Sequence, residues 1–284
     1  MNILVIGESC NDVFVYGDIE RISPEAPVPV FVPTHTESND GMAKNVVNNV
    51  ESLVLGDSSH SHFLLNPTSN VIHTVTNRNS IVKRRFVESR SGQMVLRVDE
   101  NDYCDRIDTS LLSGLIHNKF EQPPVGFEYH NENGEIIGNR YDAIIISDYC
   151  KGFLEEEDIQ HICKNNSNVF VDTKKKLGEW IKDADYIKLN EFEYNRNHEL
   201  LSDIGFEKKL IITMGNRGCK WNGKEFPVDE VKIGDVSGAG DTFIAGLVHG
   251  YLDTLDIESA IKFAQKCTNI VVQEPGVTVV KLKL

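Results

Sequence analysis

The sequence predicts an α/β protein: a mostly parallel central sheet with helices on both faces, and a small separate β-layer. Three observations predict it. Short apolar runs (Ile3–Ile6, Ala143–Ser147, Val169–Asp172, Tyr186–Leu189 and Lys209–Thr213) each end in glycine, acidic or amide residues. Continuous apolar runs of this length are strands buried on both faces, as parallel sheets require. Helical periods separate the later runs, as βα crossovers do. Two further stretches, 13–36 and 71–98, alternate apolar and polar residues with no helical period, which suits strands with one face in water.

The first strand covers Asn2–Gly7, and G-E-S-C-N-D then puts Asp12 just beyond its end. Ligands of open α/β sheets sit at that edge. Val13–Thr36, interrupted by prolines, reads as two short strands at a sheet edge, where proline is tolerated. A helix is expected from Asp40 to about Leu55, followed by a polar, turn-rich loop. Val71–Val75, Ile81–Val87 and Met94–Val98 read as strands of the β-layer. A helix at about 109–119 and a Pro/Gly-rich loop at 121–140 precede the βα-alternating half. There, helices open with acids at Glu155–Asp158 and run at about 240–252 and 257–272. Trp221-Asn222-Gly223-Lys224 is a type I′ hairpin signal. A last short strand is expected at Val277–Leu282.

Composition narrows the function classes. A formal net charge of −14, without a long Lys/Arg run, argues against a nucleic-acid binder. The six cysteines are scattered with no C-x-x-C pair, which fits free thiols in a reducing cytoplasm better than disulfides or zinc. The N-terminal apolar run is too short for a signal peptide or a membrane span.

The stretch with most chemistry is D-V-S-G-A-G-D-T-F, Asp235–Phe243. Gly238, Ala239 and Gly240 turn sharply, and a helical pattern begins at Asp241. A glycine turn opening a helix gathers unpaired N–H groups at the positive end of the helix dipole, which suits phosphate. The Asp241 carboxylate beside it is placed to take a proton from an attacking hydroxyl. Alone, the same residues read more readily as a glycine cap and a first-turn acid.

Three further blocks weigh against that plainer reading: Y-G-D-I-E-R-I-S-P-E-A-P-V-P-V at 16–30, S-D-Y-C-K-G-F-L at 147–154, and N-E-F-E at 190–193. With Asp235–Phe243 they occur in the order found in the ribokinase-like (phosphofructokinase-B) carbohydrate kinases, and the chain resembles the heptose 7-phosphate kinase branch of that superfamily. The resemblance implies a ribokinase-like three-layer fold, with residues 1–12, 37–70 and 99–284 forming the kinase domain and 13–36 and 71–98 a β-lid. It implies ATP and Mg²⁺ as cofactors and a sugar phosphate as acceptor. Asp241 matches the catalytic base, and Gly238, Ala239 and Gly240 the anion hole. Asn190 and Glu193 match residues that organise Mg²⁺ through water. Thr213, Gly215, Gly218, Lys174 and Asp235 fall on the nucleotide side, and Asp12, Gly41 and Asn45 on the sugar side. Arg84, Arg85 and Arg97, with Lys83, either bind the sugar phosphate from the lid or form a solvated strand face. A homodimer through the lid is expected.

The chain departs from the family at three places. G-M-A-K-N-V at 41–46 stands where the family has G-G-A-A-N-V, so that Met42 and Lys44 either narrow the sugar pocket or add a phosphate contact. Residues 56–80 are shorter than the usual strand–helix insertion. Asp172-Thr173-Lys174 replaces Asp-Pro-Lys and keeps both charges. Heptose kinases are often fused to a nucleotidyltransferase; with the chain ending at Leu284, that step is expected from another polypeptide.

Overall fold

The computed structural model describes residues 1–56, 70–112, 141–203 and 206–282. In chain order they form β1 (Asn2–Gly7), β2 (Ser9–Ile22), β3 (Pro29–Met42), α1 (Ala43–Gly56), β4 (Val71–Thr76), β5 (Ile81–Glu88), β6 (Met94–Glu100), β7 (Ala143–Asp148), α2 (Glu156–Asn165), β8 (Val169–Thr173), β9 (Tyr186–Asn190), α3 (Glu191–Asp203), β10 (Leu210–Thr213), β11 (Cys219–Trp221), β12 (Lys224–Phe226), α4 (Ala239–Thr254) and α5 (Ile257–Val271).

The main sheet runs β12-β11-β10-β9-β8-β7-β1-β4, parallel from β10 to β4, with the antiparallel hairpin β11–β12 at one end. Alternate residues of the same strand feed two cores. Ile3, Val5, Ala143 and Ile145 pack with α1, α4 and α5, while Leu4, Ile6, Ile144 and Ile146 pack with α2 on the other face. This double burial is why those strands are apolar without alternation. The register aligns Gly7 with Ser147, Ser147 with Asp172, and Asp172 with Lys188, so the polar strand ends share one edge. Close approach there requires Gly7, since a Cβ would stand 1.9 Å from the Ser147 carbonyl oxygen. The hairpin turns at Asn222 and Gly223 with φ of 47° and 74°, the positive pair that a type I′ turn needs.

A second sheet of order β3-β2-β5-β6 rises from the main one directly after β1. Its first two strands are longer than expected, 14 residues each, and the β2–β3 ladder shifts register at Tyr16/Gly17 and Ile19/Arg21. These irregularities let a long ribbon twist. Pro29 and Pro33 lie on β3, an edge strand, where a missing N–H costs least.

Several expectations are corrected. Val71–Thr76 belongs to the main sheet, paired in parallel with β1, and not to the β-layer. As an edge strand it is only partly buried, so it lacks the continuous apolar run of the inner strands. The helix expected from Asp40 starts at Ala43, because Asp40–Met42 complete β3. Val277–Leu282 forms no strand: the Val280 N–H donates to Asn49 Oδ1 (2.9 Å) and its carbonyl accepts from Ser52 Oγ, so helix side chains replace a ladder. The helix expected at about 109–119 is described only to Leu112, and the loop at 121–140 lies outside the described residues.

Neither departure in the 41–46 box is free: one side chain is buried in the core and the other stands beside an acid. Met42 has φ of 59°, the left-handed conformation glycine adopts freely, and its side chain is buried in the core with Leu4, Ile6 and Cys10. Lys44 is half-exposed, 3.9 Å from Asp40. Met42→Gly would relieve about 1–2 kcal/mol of backbone strain but remove a buried side chain worth about 2–5 kcal/mol. The expected outcome is a net destabilisation of about 1–3 kcal/mol, read from the urea midpoint at constant slope; a stabilised variant would mean the strain outweighs the packing.

Candidate active site

Gly238 caps α4 in the left-handed conformation, φ 77°. A side chain there would meet Asn45 Nδ2 at 2.6 Å, so this turn requires glycine for both its angle and its neighbour. Asp241 follows in the first turn, 3% exposed. Its Oδ2 accepts from Asn45 Nδ2 (3.0 Å) and its Oδ1 from the Tyr149 hydroxyl (2.6 Å). Asn45 is itself held by Asn49, whose Nδ2 donates to Asn45 Oδ1 (3.0 Å), and Thr242 Oγ1 donates to Asn49 (3.2 Å). Burial pushes the Asp241 carboxyl above the usual range, and Asp172 adds to this; the Tyr149 and Asn45 donors and Lys188 work the other way.

Beside this carboxylate runs a chain of alternating charges. Lys188 Nζ bonds Asp172 Oδ2 (2.6 Å), Lys174 Nζ bonds Asp172 Oδ1 (3.0 Å), and Lys174 reaches Glu193 Oε1 (2.8 Å). Burial opposes the charge on Asp172, but the two ammonium groups outweigh it and hold the carboxyl below its ordinary range. Lys188 leans on the anion turn: a Cβ on Gly240 would stand 2.9 Å from its Nζ. Glycine at 240 thus admits a cation to the place where backbone N–H groups already favour an anion.

The expected nucleotide-side residues divide by role. Asn190 and Glu193 form a reciprocal capping box at the start of α3, each side chain accepting the other's N–H at 2.8 Å. The second Glu193 oxygen is on Lys174, so these oxygens fit Mg²⁺ through water rather than by direct ligation. Among the described residues no group of three or more His, Cys, Asp or Glu is arranged to hold a metal. Thr213, Gly215, Gly218, Ala239 and Gly240 line one cavity of about 400 Å³, to which Val228, Val231, Phe243 and Val272 add apolar wall and Asp229 and Glu230 carboxylates. Asp235 ties its own loop, accepting from the N–H groups of Ser237 (2.8 Å) and Gly276 (3.2 Å).

On the other side of Asp241, Asp12 is buried and paired with Arg85, whose guanidinium lies over the Phe14 ring. Gly41 is needed here because a Cβ would come within 2.1 Å of Asp12 Oδ2. The β5–β6 register sets Arg85 opposite Arg97, which is clamped by Asp99 at 2.7 Å. Arg84, expected beside them, lies on the opposite face of the strand, bonded to Glu100 at 2.7 Å. The strand period of two separates neighbours in sequence, so Arg84 and Arg85 cannot serve one ligand from the same face.

Three residues to which the sequence reading gave no role belong to this centre: Glu8, Tyr149 and Lys188. Lys188 carried a signal, an ammonium inside the apolar run Y-I-K-L that only a buried partner explains. Tyr149 lies in the block S-D-Y-C-K-G-F-L, which marked the segment but not its partner, and Glu8 carried no signal, since its partners are remote in the chain.

A family model described as pfkB family carbohydrate kinase matches residues 133–283. The "Bifunctional protein HldE" of Helicobacter pylori (strain Shi470) is 28% identical over 99% of this chain and 65% of its own length. That of Aliarcobacter butzleri (strain RM4018) is 31% identical over 97% of this chain and 61% of its own. The chain thus spans less than two thirds of these relatives. Among solved structures, a ribokinase from Thermotoga maritima superposes with a TM-score of 0.63 at 18% identity, over 98% of this chain and 94% of that one. Phosphofructokinase-2 from Escherichia coli in complex with potassium gives 0.63 at 13% identity, over 99% and 96%. The fold is ribokinase-like.

Replacing Asp172 would take the carboxylate from the Lys188 ammonium and leave Lys174 on Glu193 alone. Asp172→Asn is expected to destabilise the fold by about 3–5 kcal/mol, the scale for breaking a buried pair, measured by denaturant unfolding. Because the folded carboxyl sits below the ordinary value of about 3.9, its stabilisation is present above that pH and is lost as pH falls through the depressed value. The variant should therefore lie closest to the parent protein at the acid end.

Proposed function

The chain belongs to the pfkB family of carbohydrate kinases, and from that premise we propose that it transfers the γ-phosphoryl group of ATP to a hydroxyl of a sugar phosphate, C1 of D-glycero-D-manno-heptose 7-phosphate. The observation that carries the reading is the placing of Asp241. It is a buried carboxylate directly after the left-handed Gly238 turn, with the cavity of about 400 Å³ on one side and the strand cations on the other.

The nucleotide lies in that cavity with its phosphates toward Gly240. Asp241 accepts the proton of the acceptor hydroxyl as its oxygen bonds to the γ-phosphorus, and the bond to ADP breaks. The first-turn N–H groups of α4 and Lys188 balance charge on the transferring oxygens, which is most of what phosphoryl transfer asks of a protein. Asn190 and Glu193 would hold Mg²⁺ through water, and that ion supplies further neutralisation of the phosphates when bound. The four-stranded sheet covers the acceptor, with Asp12 and Asn45 beside its hydroxyls and Arg85 and Arg97 at its far end.

An unphosphorylated sugar is the second reading. One observation favours it: Arg85 and Arg97 already pair with Asp12 and Asp99. A panel of heptose 7-phosphate, ribose, fructose, fructose 6-phosphate and adenosine separates the two. The heptose phosphate should show the highest kcat/KM, and Asp241→Asn should lower kcat by ~10²–10⁴ with ATP binding retained. A better unphosphorylated acceptor sinks the substrate assignment; near-parental turnover in the variant removes Asp241 as base.

The same sheet supports a homodimer. It exposes Val32 on β3 and Met94, Val95, Leu96 and Val98 on β6, along outer edges that have no ladder partner among the described residues. Exposed edges with apolar side chains are ordinarily covered, and a second copy of this sheet matches them. Light scattering at micromolar concentration should give twice the mass of this chain; a monomer mass would rule the pairing out.

A further inference from the structure

The loop after β7 is built around a buried carboxylate that the transfer chemistry does not use. Glu8, between β1 and β2, is fully buried. It accepts three backbone N–H groups from that loop, those of Tyr149 (2.7 Å), Lys151 (2.9 Å) and Phe153 (3.2 Å). Positive φ at Cys150 (58°) and Gly152 (103°) bends the backbone so that alternate N–H groups converge on one side chain. The Cys150 N–H bonds Asp148 (3.1 Å), and the Lys151 carbonyl accepts from the Cys104 N–H (2.8 Å). A loop tied at this many points sets the direction of Tyr149. Its hydroxyl reaches Asp241 Oδ1 at 2.6 Å, and its ring lies between Lys83 (4.9 Å) and Lys174 (5.4 Å), one ammonium from the acceptor side and one from the nucleotide side.

We propose that Tyr149, aimed by the Glu8-clamped loop, is the positioning residue of the base: its hydroxyl fixes the Asp241 carboxylate and keeps it ionised until the acceptor arrives. This rests on the reading of Asp241 as base given above. The alternative that Tyr149 only packs is disfavoured by what a phenol needs when buried, one good acceptor, and by the fact that the acceptor chosen is this carboxylate. The groups acting on Asp241 are Asn45 from α1, Tyr149, Asp172 from β8 and Lys188 from β9, with the Cys10 thiol of β2 nearby. Around them, Asp12, Lys83 and Arg85 act on Cys10, and Lys83 and Lys174 lie over the Tyr149 ring. Burial raises the proton affinity of Asp241, and the Tyr149 and Asn45 donors oppose that rise. Tyr149 itself is pushed well above the ordinary phenol value, so it stays a donor through the working pH range.

Tyr149→Phe keeps the ring and deletes only the donor. A hydrogen bond to a charged group is of the size that moves a carboxyl by about one pH unit. The acid limb of kcat/KM should move up by about that much. The loss should then be about tenfold below the limb and fade toward alkaline pH. A purely structural role would lower activity equally at every pH. The second measurement needs no substrate: infrared titration of the Asp241 carboxyl in the unliganded protein, with Asp241→Asn as the blank. Its midpoint should rise in Tyr149→Phe. An unmoved midpoint together with a pH-independent loss, or with no loss, overturns the proposal. If the parent protein phosphorylates no acceptor, the kinase reading fails, and the infrared midpoint alone decides whether Tyr149 sets the state of Asp241.

Discussion

The structure depends on one buried carboxylate, Asp241, and on the donors that meet it. An isolated buried carboxylate would take up a proton rather than bear the cost of desolvation. Asp241 is instead met by a carboxamide on one oxygen and a phenol on the other. Those donors come from α1 and from the loop after β7, so this pairing exists only when three segments distant in sequence have closed on each other. The glycines follow from that closure, since Gly238 leaves room for Asn45 and Gly240 for Lys188.

The charges around it form an ordered series rather than a scatter. Glu193, Lys174, Asp172 and Lys188 alternate in sign from the cap of α3 to the anion turn. Buried ion pairs of this kind contribute little net stability against well-packed apolar residues, but they are costly to break. Their value here is placement. The series brings a cation to the start of α4, where the helix dipole and free N–H groups already call for an anion. Asp172-Thr173-Lys174 keeps both charges that this arrangement uses.

The two sheets divide the work in the same way. The main sheet, packed on both faces, offers rigid strand ends at one edge. The smaller sheet, anchored through β2 immediately after β1, carries Asp12, Arg85 and Arg97 and leaves apolar edge residues exposed. Met42 stands at the junction with its side chain in the core and its backbone in the left-handed region. The methionine side chain there is held by core packing.

What the sequence by itself determined is what short-range physics controls. The limits of β1, the Asn222–Gly223 hairpin, the two last helices and the glycine turn before Asp241 all follow from neighbours a few residues apart. Backbone preference, capping and periodicity act over that range. The tertiary structure alone decided which edge a strand joins, as with Val71–Thr76 beside β1, and which face of β5 meets the site, as with Arg85 against Arg84. It also decided that Val277–Leu282 would be held by Asn49 and Ser52 instead of by a strand. Glu8, Tyr149 and Lys188 belong to that class as well. Each has a hydrogen-bonding or ionic role set by a partner elsewhere in the chain, and such partners are chosen by how sheets and helices pack, which no local pattern encodes.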